Sequence, residues 1–194
     1  MGDNSVHPQL LEVPEQFESS RLLIRAPRWG DGAMINEAIA ESMPELSAWM
    51  PWAVELPTVE QSEITIREGR ARYLDRSDLW LMLIEKESGR LVGSSGLHRI
   101  DWDARKFEIG YWARSSCTGQ GYISEAVHRI VRFAAEELAA NRIEIRCDAR
   151  NVRSAAVAER CGFTHEGLLR MERMGVDGTL RDTLVFAKVK GIEF

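Results

Sequence analysis

The chain has 194 residues, of which 44% are hydrophobic and 28% are charged, and its formal net charge at pH 7 is −5. That length suits one domain with its own core, and the composition is typical of a soluble globular protein. No apolar stretch reaches the ~18–20 residues that cross a bilayer, and scattered Lys and Arg in an acidic chain argue against a nucleic-acid-binding module.

The first third of the chain begins with residues 1–18, which are predicted to form a loose N-terminal arm before a single domain over residues 19–190. The segment "RLLIRA" (21–26) predicts the first strand. Asp31 is placed to cap a helix that runs to about Met43, because apolar residues recur there at helical spacing.

A connection with prolines at both ends, residues 44–57, follows this helix, and proline breaks helices. It contains Trp49, Met50 and Trp52, which either pack in the core or line a binding loop. Thr58 then begins a second helix, with Gln61 placed three residues later for a capping box.

Three strands joined by short turns come next, over residues 80–86, 91–100 and 107–112. The first is a continuous apolar run, which predicts a strand buried on both faces. Short turns between successive strands predict an antiparallel meander.

Two glycines, Gly119 and Gly121, lie between the last of these strands and a strongly periodic helix. Such a turn exposes the first N–H groups of the helix, which together with the helix dipole form an anion site. The pair alone is weak evidence, because many such turns only connect elements. A dinucleotide fingerprint needs a third glycine where Ser124 stands, and a P-loop needs Lys where Tyr122 stands.

The last third of the chain contains a half-buried strand over 142–148 and a short helix that Asn151 caps and Gly162 ends. Two further strands, 163–174 and 179–189, are joined through "VDG", which predicts a hairpin.

The cysteines and histidines indicate no metal site. Three cysteines is an odd number without C-x-x-C spacing, and the four histidines show no ligand spacing. A reducing cytoplasm is the expected compartment.

Two segments carry a family resemblance: "SSGLHRIDWDARKFEIGYWARSSCTGQGYISEAV" and "RIEIRCDARNVRSAAVAERCGFTHEGLLR". They resemble the GNAT N-acetyltransferase superfamily, in particular its RimJ/RimL branch, whose named members acetylate the N-terminal amine of ribosomal proteins. The superfamily motif often has Gln or Arg where Ser116 stands. The resemblance implies an α/β (α+β) GNAT fold: a central mixed, mostly antiparallel seven-stranded sheet flanked by about four helices.

The resemblance also implies acetyl-CoA as cosubstrate, without a metal, and direct acetyl transfer to a primary amine. The acceptor is either the N-terminal α-amine of a ribosomal or other protein or a small amine such as an antibiotic, toxin or polyamine. A non-catalytic acyl-CoA-binding sensory module is the alternative. Neither a nucleic acid nor a membrane is an expected partner, and a monomer and a homodimer both remain open.

The resemblance implies a binding site for acetyl-CoA between the strand ending at Trp112 and the strand 142–148. The pantetheine arm would lie in the gap between these strands, with the pyrophosphate on the glycine turn. The implied contacts are Trp112, Ala113, Thr118, Gly119, Gln120, Gly121, Tyr122, Ile123, Asn151 and Ser154.

For catalysis, Ser154 is the candidate that hydrogen-bonds the departing thiolate, although a serine in a first helical turn also occurs without function. Glu172 ranks first as general base, followed by Glu108 and Asp182; a carboxylate at such positions is more often a solvated surface group than a base, and a water chain could also carry the proton. The candidate acceptor contacts are Trp49, Met50, Trp52 and His98.

Overall fold

The computed structural model describes residues 7–194, and in this range a mixed sheet carries four α-helices. The helices are α1 (Gly32–Leu46), α2 (Val59–Asp75), α3 (Tyr122–Glu137) and α4 (Val152–Arg160). The strands are β1 (Gln16–Glu18), β2 (Leu22–Arg25), β3 (Leu79–Glu85), β4 (Leu91–Asp101), β5 (Lys106–Ala113), β6 (Arg142–Asp148), β7 (Thr164–Met174) and β8 (Leu180–Val189).

The eight strands lie in the order β1-β2-β3-β4-β5-β6-β8-β7. All neighbours are antiparallel except β5 and β6, which are parallel and are connected through α3. The predicted meander (β3–β5) and the predicted hairpin (β7–β8) are both confirmed. The sheet class is also as predicted, but the count of seven strands is one too low.

The additional strand, β1, lies in the segment predicted to be a loose arm. It pairs with β2, and the Phe17 ring stacks on Phe133 of α3 with centroids 4.4 Å apart. Val13 and Phe17 are buried, so the packed part of the chain begins before residue 19. A three-residue strand is too short to show alternation, which is why sequence periodicity missed it. Residues 1–6 of the predicted arm lie outside the described residues.

The helix boundaries agree with local sequence signals except at α1. This helix continues past Met43 and includes Pro44, ending at Leu46, whose side chain is buried. Burial of Leu46 offsets the helical hydrogen bond that proline removes. Asp31 precedes α1 but does not cap it with its side chain, because both carboxylate oxygens bind the Arg25 guanidinium at 2.7 and 2.8 Å.

Apolar side chains are buried on both faces of the sheet. Leu81 and Leu83 of β3 belong to the large cluster with α3, whereas Met82 and Ile84 pack in a smaller cluster with α1 and α2. This arrangement confirms the prediction that β3 is buried on both faces. Within residues 7–194, no helix combines the length and apolar character needed to cross a bilayer.

Candidate active site

A gap opens in the sheet where the two parallel strands separate. β5 and β6 pair at Lys106–Arg142, Phe107–Ile143 and Glu108–Glu144, and no pairing between them extends further. β5 nevertheless continues to Ala113 and β6 to Asp148. The backbone of β5 beyond Glu108 is therefore free on the side facing β6, as the family resemblance implies.

The glycine turn lies between β5 and α3 and has an open backbone. Gly119 and Gly121 have φ values of +74° and +81°, which glycine adopts without strain. A Cβ at Gly119 would meet nothing within 4 Å. The N–H groups of residues 119–123 donate no hydrogen bond to any described residue. Five unused donors at the start of a helix form a site for an anion such as a pyrophosphate.

Helix α1 holds the segment that leads into this turn. Glu41 accepts a hydrogen bond from the Ser116 N–H at 2.8 Å and another from Arg114 Nε, while Ser42 Oγ accepts from the Ser115 N–H at 3.0 Å. The hydrogen bonds from Ser116, followed by those from Arg114, lower the pKa of Glu41 to about 2. The ionised carboxylate thus fixes the entry to the turn.

Arg21 supplies positive charge on the other side of the turn. Its Nη1 donates to the Gln120 carbonyl at 3.1 Å, and its Nη2 would lie 3.6 Å from a Cβ at Gly121. Its Nε also pairs with Glu125 of α3 at 2.7 Å. Glu125, the acidic residue in the first turn of α3, is therefore neutralised close to the predicted anion site.

A cavity of about 510 Å³ lies over the gap and brings together seven of the predicted site residues. The cavity is lined by Trp49, Met50, Trp52, His98, Trp112, Asn151 and Ser154, among others. Trp49 and Trp52 are 36% and 50% exposed, so neither is closed off in the core. The glycine turn, Glu108, Glu172 and Asp182 do not line the cavity.

The start of α4 combines capping with an accessible hydroxyl. Asn151 Oδ1 accepts from the Ser154 N–H at 3.1 Å, so the predicted cap is confirmed. Tyr111 of β5 donates its hydroxyl to the Ser154 carbonyl at 3.0 Å and lies 3.1 Å from Ser154 Oγ. Burial raises the pKa of Tyr111 above its usual value, which keeps this phenol protonated. The Tyr111 hydroxyl therefore orients the Ser154 side chain at the cavity wall.

His98 is held against the floor of the cavity by its neighbours. Its Nδ1 lies 2.7 Å from Asp78 Oδ2. The ring lies over two glycines that face each other on β4 and β5: a Cβ at Gly96 would be 2.7 Å from His98 Cε1, and one at Gly110 would be 3.1 Å from Cδ2. His98 Nε2 makes no hydrogen bond within residues 7–194. An imidazole anchored through Nδ1 in this way presents Nε2 to a ligand.

The predicted carboxylate bases are bound in other interactions. Glu108 receives two hydrogen bonds from Arg99 Nη1, at 2.8 and 3.0 Å. Glu172 accepts from Arg146 and from Thr183 Oγ1, each at 2.9 Å.

The protonation of Glu172 follows from these partners. Burial opposes its ionisation, but the Thr183 hydrogen bond and the charge of Arg146 outweigh burial and lower the pKa of Glu172.

The third predicted base, Asp182, is also engaged: its Oδ1 accepts a hydrogen bond from the Met171 N–H at 2.8 Å. Outside the cavity and held in this way, these carboxylates are poorly placed to take a proton from a bound amine.

Cysteine and metal chemistry have little support in the described residues. Cys117, Cys147 and Cys161 are free and buried, and burial raises the pKa of Cys147 and of Cys161. In the described part of the chain, no three His, Cys, Asp or Glu side chains are grouped as metal ligands.

Sequence reasoning missed several residues that line the cavity. Asp78 and Tyr111 gave no local signal, because their partners are 20 and 43 residues away along the chain. Strand β6 was predicted to be half-buried, with Glu144, Arg146 and Asp148 on its polar face, but Glu144 and Asp148 are buried. Arg146 and Asp148 line the cavity rather than an open surface, which strand alternation does not reveal.

Comparisons with known proteins agree on one family. A family described as "Acetyltransferase (GNAT) domain" matches residues 21–164. "Putative ribosomal N-acetyltransferase YdaF" of Bacillus subtilis is 32% identical over 89% of this chain and 93% of its own length. The ribosomal-protein-serine acetyltransferase of Escherichia coli is 30% identical over 73% of this chain and 79% of its own length.

A solved structure shows the same fold at lower identity. The microcin self-immunity acetyltransferase MccE, in complex with acetyl-CoA and AMP, has a TM-score of 0.85 at 22% identity, over 91% of this chain and 97% of that chain.

Proposed function

Because the chain belongs to the GNAT acetyltransferase family and is an N-acetyltransferase of the RimJ/RimL type, we propose that it transfers the acetyl group of acetyl-CoA to a primary amine bound in the cavity. The observation that carries this proposal is the row of unused N–H groups at residues 119–123, beside a β5 backbone that is free of β6. A diphosphate fits the first feature, and an extended amide-containing chain fits the second.

The residues implied for acetyl-CoA fall into two groups in this proposal. Thr118, Gly119, Gln120, Gly121, Tyr122 and Ile123 bind the pyrophosphate, with Arg21 as an additional cation. Trp112 and Ala113 bind the pantetheine arm through their backbone, and Asn151 and Ser154 lie at its thioester end. The open space over Gly119 supports this assignment, since a Cβ there would enter the space that the phosphates need.

The acceptor in this proposal is the α-amine at the N-terminus of a protein. It is supported by the names of two relatives, which describe ribosomal substrates for those proteins. The exposed Trp49 and Trp52 provide apolar contact surface for such a chain end. A small amine is the second candidate, because the same chemistry applies to any primary amine.

Transfer proceeds directly in a ternary complex of enzyme, acetyl-CoA and amine. The neutral amine nitrogen attacks the thioester carbonyl carbon, the C–S bond breaks, and the amine proton passes to a base. The Ser154 hydroxyl donates a hydrogen bond to the departing thiolate. The cysteines are unsuitable nucleophiles, because they are buried and Cys147, which lines the cavity, has a raised pKa.

The base in this mechanism is His98 Nε2. Its anchor to Asp78 fixes the ring, and the nitrogen lacks a partner within the described residues. Glu172, which ranks first in the sequence analysis, accepts hydrogen bonds from Thr183 and Arg146 and has a lowered pKa, so it accepts a proton less readily.

The experiment that tests this function measures acetyl-CoA-dependent release of free thiol with a panel of peptides and small amines. We expect amine-dependent release together with an acetylated product detected by mass spectrometry. A non-catalytic acyl-CoA-binding module would bind acetyl-CoA in calorimetry but release no thiol with any amine, and that result would overturn the proposal.

The proposed location of the protein is a reducing cytoplasm, with which its free cysteines are compatible.

A further inference from the structure

The cavity carries a charge opposite to that of the whole chain. The chain has a net charge of −5, yet four arginines and two aspartates line the cavity. Three of the arginines are on neighbouring strands of one sheet edge: Arg146 on β6, Arg181 on β8 and Arg173 on β7. An acidic chain does not concentrate arginine in a cavity by composition alone, so the local excess of positive charge needs a cause.

Arg181 is the least satisfied of these three side chains. It is only 17% exposed, and it makes no hydrogen bond to any described residue. Its nearest carboxylate oxygen, Asp148 Oδ2, is 3.9 Å away. A guanidinium has five N–H donors, and those of Arg181, which no described group accepts, are available to a ligand in the cavity that Arg181 lines.

The neighbouring carboxylates are already bound by other groups. Asp148 receives Arg150 Nη2 at 2.8 Å and also the Arg150 N–H at 2.8 Å. Glu172 is shared between Arg146, Thr183 and, at 3.3 Å, Arg173. Arg146 Nε is itself buried and has no partner within residues 7–194. Among the residues that line this edge of the cavity, three arginines therefore face one carboxylate, that of Asp148.

We propose that Arg181, supported by Arg146 and Arg173, binds an anionic group of the acceptor, a carboxylate or a phosphate, while the acceptor amine faces the thioester. Arginine binds both anions well because its planar guanidinium can donate two parallel hydrogen bonds to two oxygens of a carboxylate or a phosphate. This inference rests on the proposed function and adds to it a substrate class: primary amines that carry a second, negatively charged group. For a protein acceptor, that class means an acidic residue close to the N-terminus.

The test compares kcat/KM for matched acceptors that differ in charge. One pair is Ser-Glu-Ala amide against Ser-Gln-Ala amide, and a second is Ser-phosphoserine-Ala amide against Ser-Ser-Ala amide. Small amines with a free carboxylate and their amides form a third pair. We expect the anionic member to be favoured by about 10- to 100-fold, as for a hydrogen bond to a charged group. The first and second pairs separate carboxylate from phosphate as the preferred group.

Arg181→Gln should remove this preference by raising KM for the anionic member, while kcat and CoA affinity remain near wild type. Arg181→Lys keeps the charge and should recover part of the preference. Arg170→Gln is the matched control, because it removes the same charge from an exposed position of β7. Fluorescence-monitored binding of the peptides to the CoA-saturated protein checks the result without turnover.

The outcomes separate this inference from the function on which it rests. Turnover that is equal for charged and neutral members, or a preference that survives Arg181→Gln, overturns the anion site and leaves the acetyltransferase intact. Absence of thiol release with every acceptor overturns the proposed function and this inference with it.

Discussion

His98 and Ser154 are the two side chains whose immediate contacts define their proposed chemistry. His98 has one nitrogen held by Asp78 and lies over Gly96 and Gly110; a Cβ at Gly96 would collide with the ring, and one at Gly110 would crowd it. Ser154 has its N–H bound by Asn151 and its hydroxyl beside Tyr111. In each residue, neighbouring side chains bind one polar group, and a second polar group faces the cavity, where a ligand can contact it.

His98→Gln should lower kcat by about 10²- to 10⁴-fold, as expected when a general base is lost. Steady-state kinetics with saturating acetyl-CoA check this loss.

His128→Gln is the control for this substitution, because it replaces an exposed histidine of α3. Asp78→Asn should reduce kcat less than His98→Gln does, since Asp78 acts through the ring and does not touch the substrate. Wild-type kcat in His98→Gln would return the role of base to Glu172 or to water.

Ser154→Ala should lower kcat by about 10- to 10³-fold if the hydroxyl stabilises the departing thiolate. CoA affinity, measured by calorimetry, should change little. Tyr111→Phe should reproduce part of the loss because the phenol orients that hydroxyl. A wild-type rate in Ser154→Ala would show that the hydroxyl has no catalytic role and that Ser154 is only a residue of the first turn of α4.

At the scale of elements, the turn between β5 and α3 is built for its backbone rather than for its side chains. Both glycines have positive φ, and the following helix starts without a side-chain cap. Helix α1 fixes the entry through Glu41 and Ser42. The turn can therefore keep its N–H groups unpaired and correctly oriented before a ligand binds.

Gly121→Val should weaken CoA binding at least about 10-fold, because its side chain covers N–H groups whose hydrogen bonds to an anion are worth that much. Valine at φ +81° also strains the backbone, so Gly191→Val is the matched control at φ +80°; a Cβ at Gly191 meets nothing within 4 Å, and one at Gly121 makes only an ordinary contact with Arg21 Nη2 at 3.6 Å. Calorimetry measures CoA affinity, and circular dichroism reports folding. Equal CoA affinity in two folded variants would contradict the placement of the pyrophosphate.

At the scale of the whole molecule, the N-terminal segment is tied to α3 by one carboxylate. Glu125 accepts hydrogen bonds from Ser19 Oγ, Ser20 Oγ and the Arg21 N–H at 2.7 to 2.9 Å, across more than 100 residues of chain. Burial opposes its ionisation, but these bonds and the Arg21 side chain outweigh burial and lower the pKa of Glu125 to about 2.

Glu125→Gln should reduce the free energy of unfolding at pH 7 by about 1–3 kcal/mol. The folded pKa is depressed below its ordinary value of 4.5, so this stabilisation is present above about pH 4.5 and is lost as the pH falls towards 2. The difference between wild type and variant should therefore shrink at pH 2.5. Urea unfolding at both pH values measures it.

Glu136→Gln provides the control for the pH experiment, because Glu136 is an exposed residue of the same helix with an ion pair at 3.9 Å. It should leave stability nearly unchanged at both pH values. A stability difference for Glu125→Gln that is the same at pH 7 and pH 2.5 would show that ionisation of Glu125 is not its source.

The sequence alone determined the features that depend on neighbouring residues. The capping box at Thr58, the Asn151 cap and the end of α4 at Gly162 are formed by groups within four residues of each other. Strand and helix periodicity predicted seven of the eight strands and all four helices. The motifs around Gly119 and Gly121 identified the family, because its site uses consecutive backbone groups.

Only the tertiary structure decided which polar groups are free and which are already bound. Strand β1, the continuation of α1 through Pro44, the ion pairs of Glu108 and Glu172, the support of His98 and the unsatisfied Arg181 all depend on partners that are distant in the sequence or on burial. Local patterns report what a residue type can do. A proton, an anion or an amine can bind only to polar groups that intramolecular hydrogen bonds and ion pairs have left free. Long-range contacts determine which groups those are.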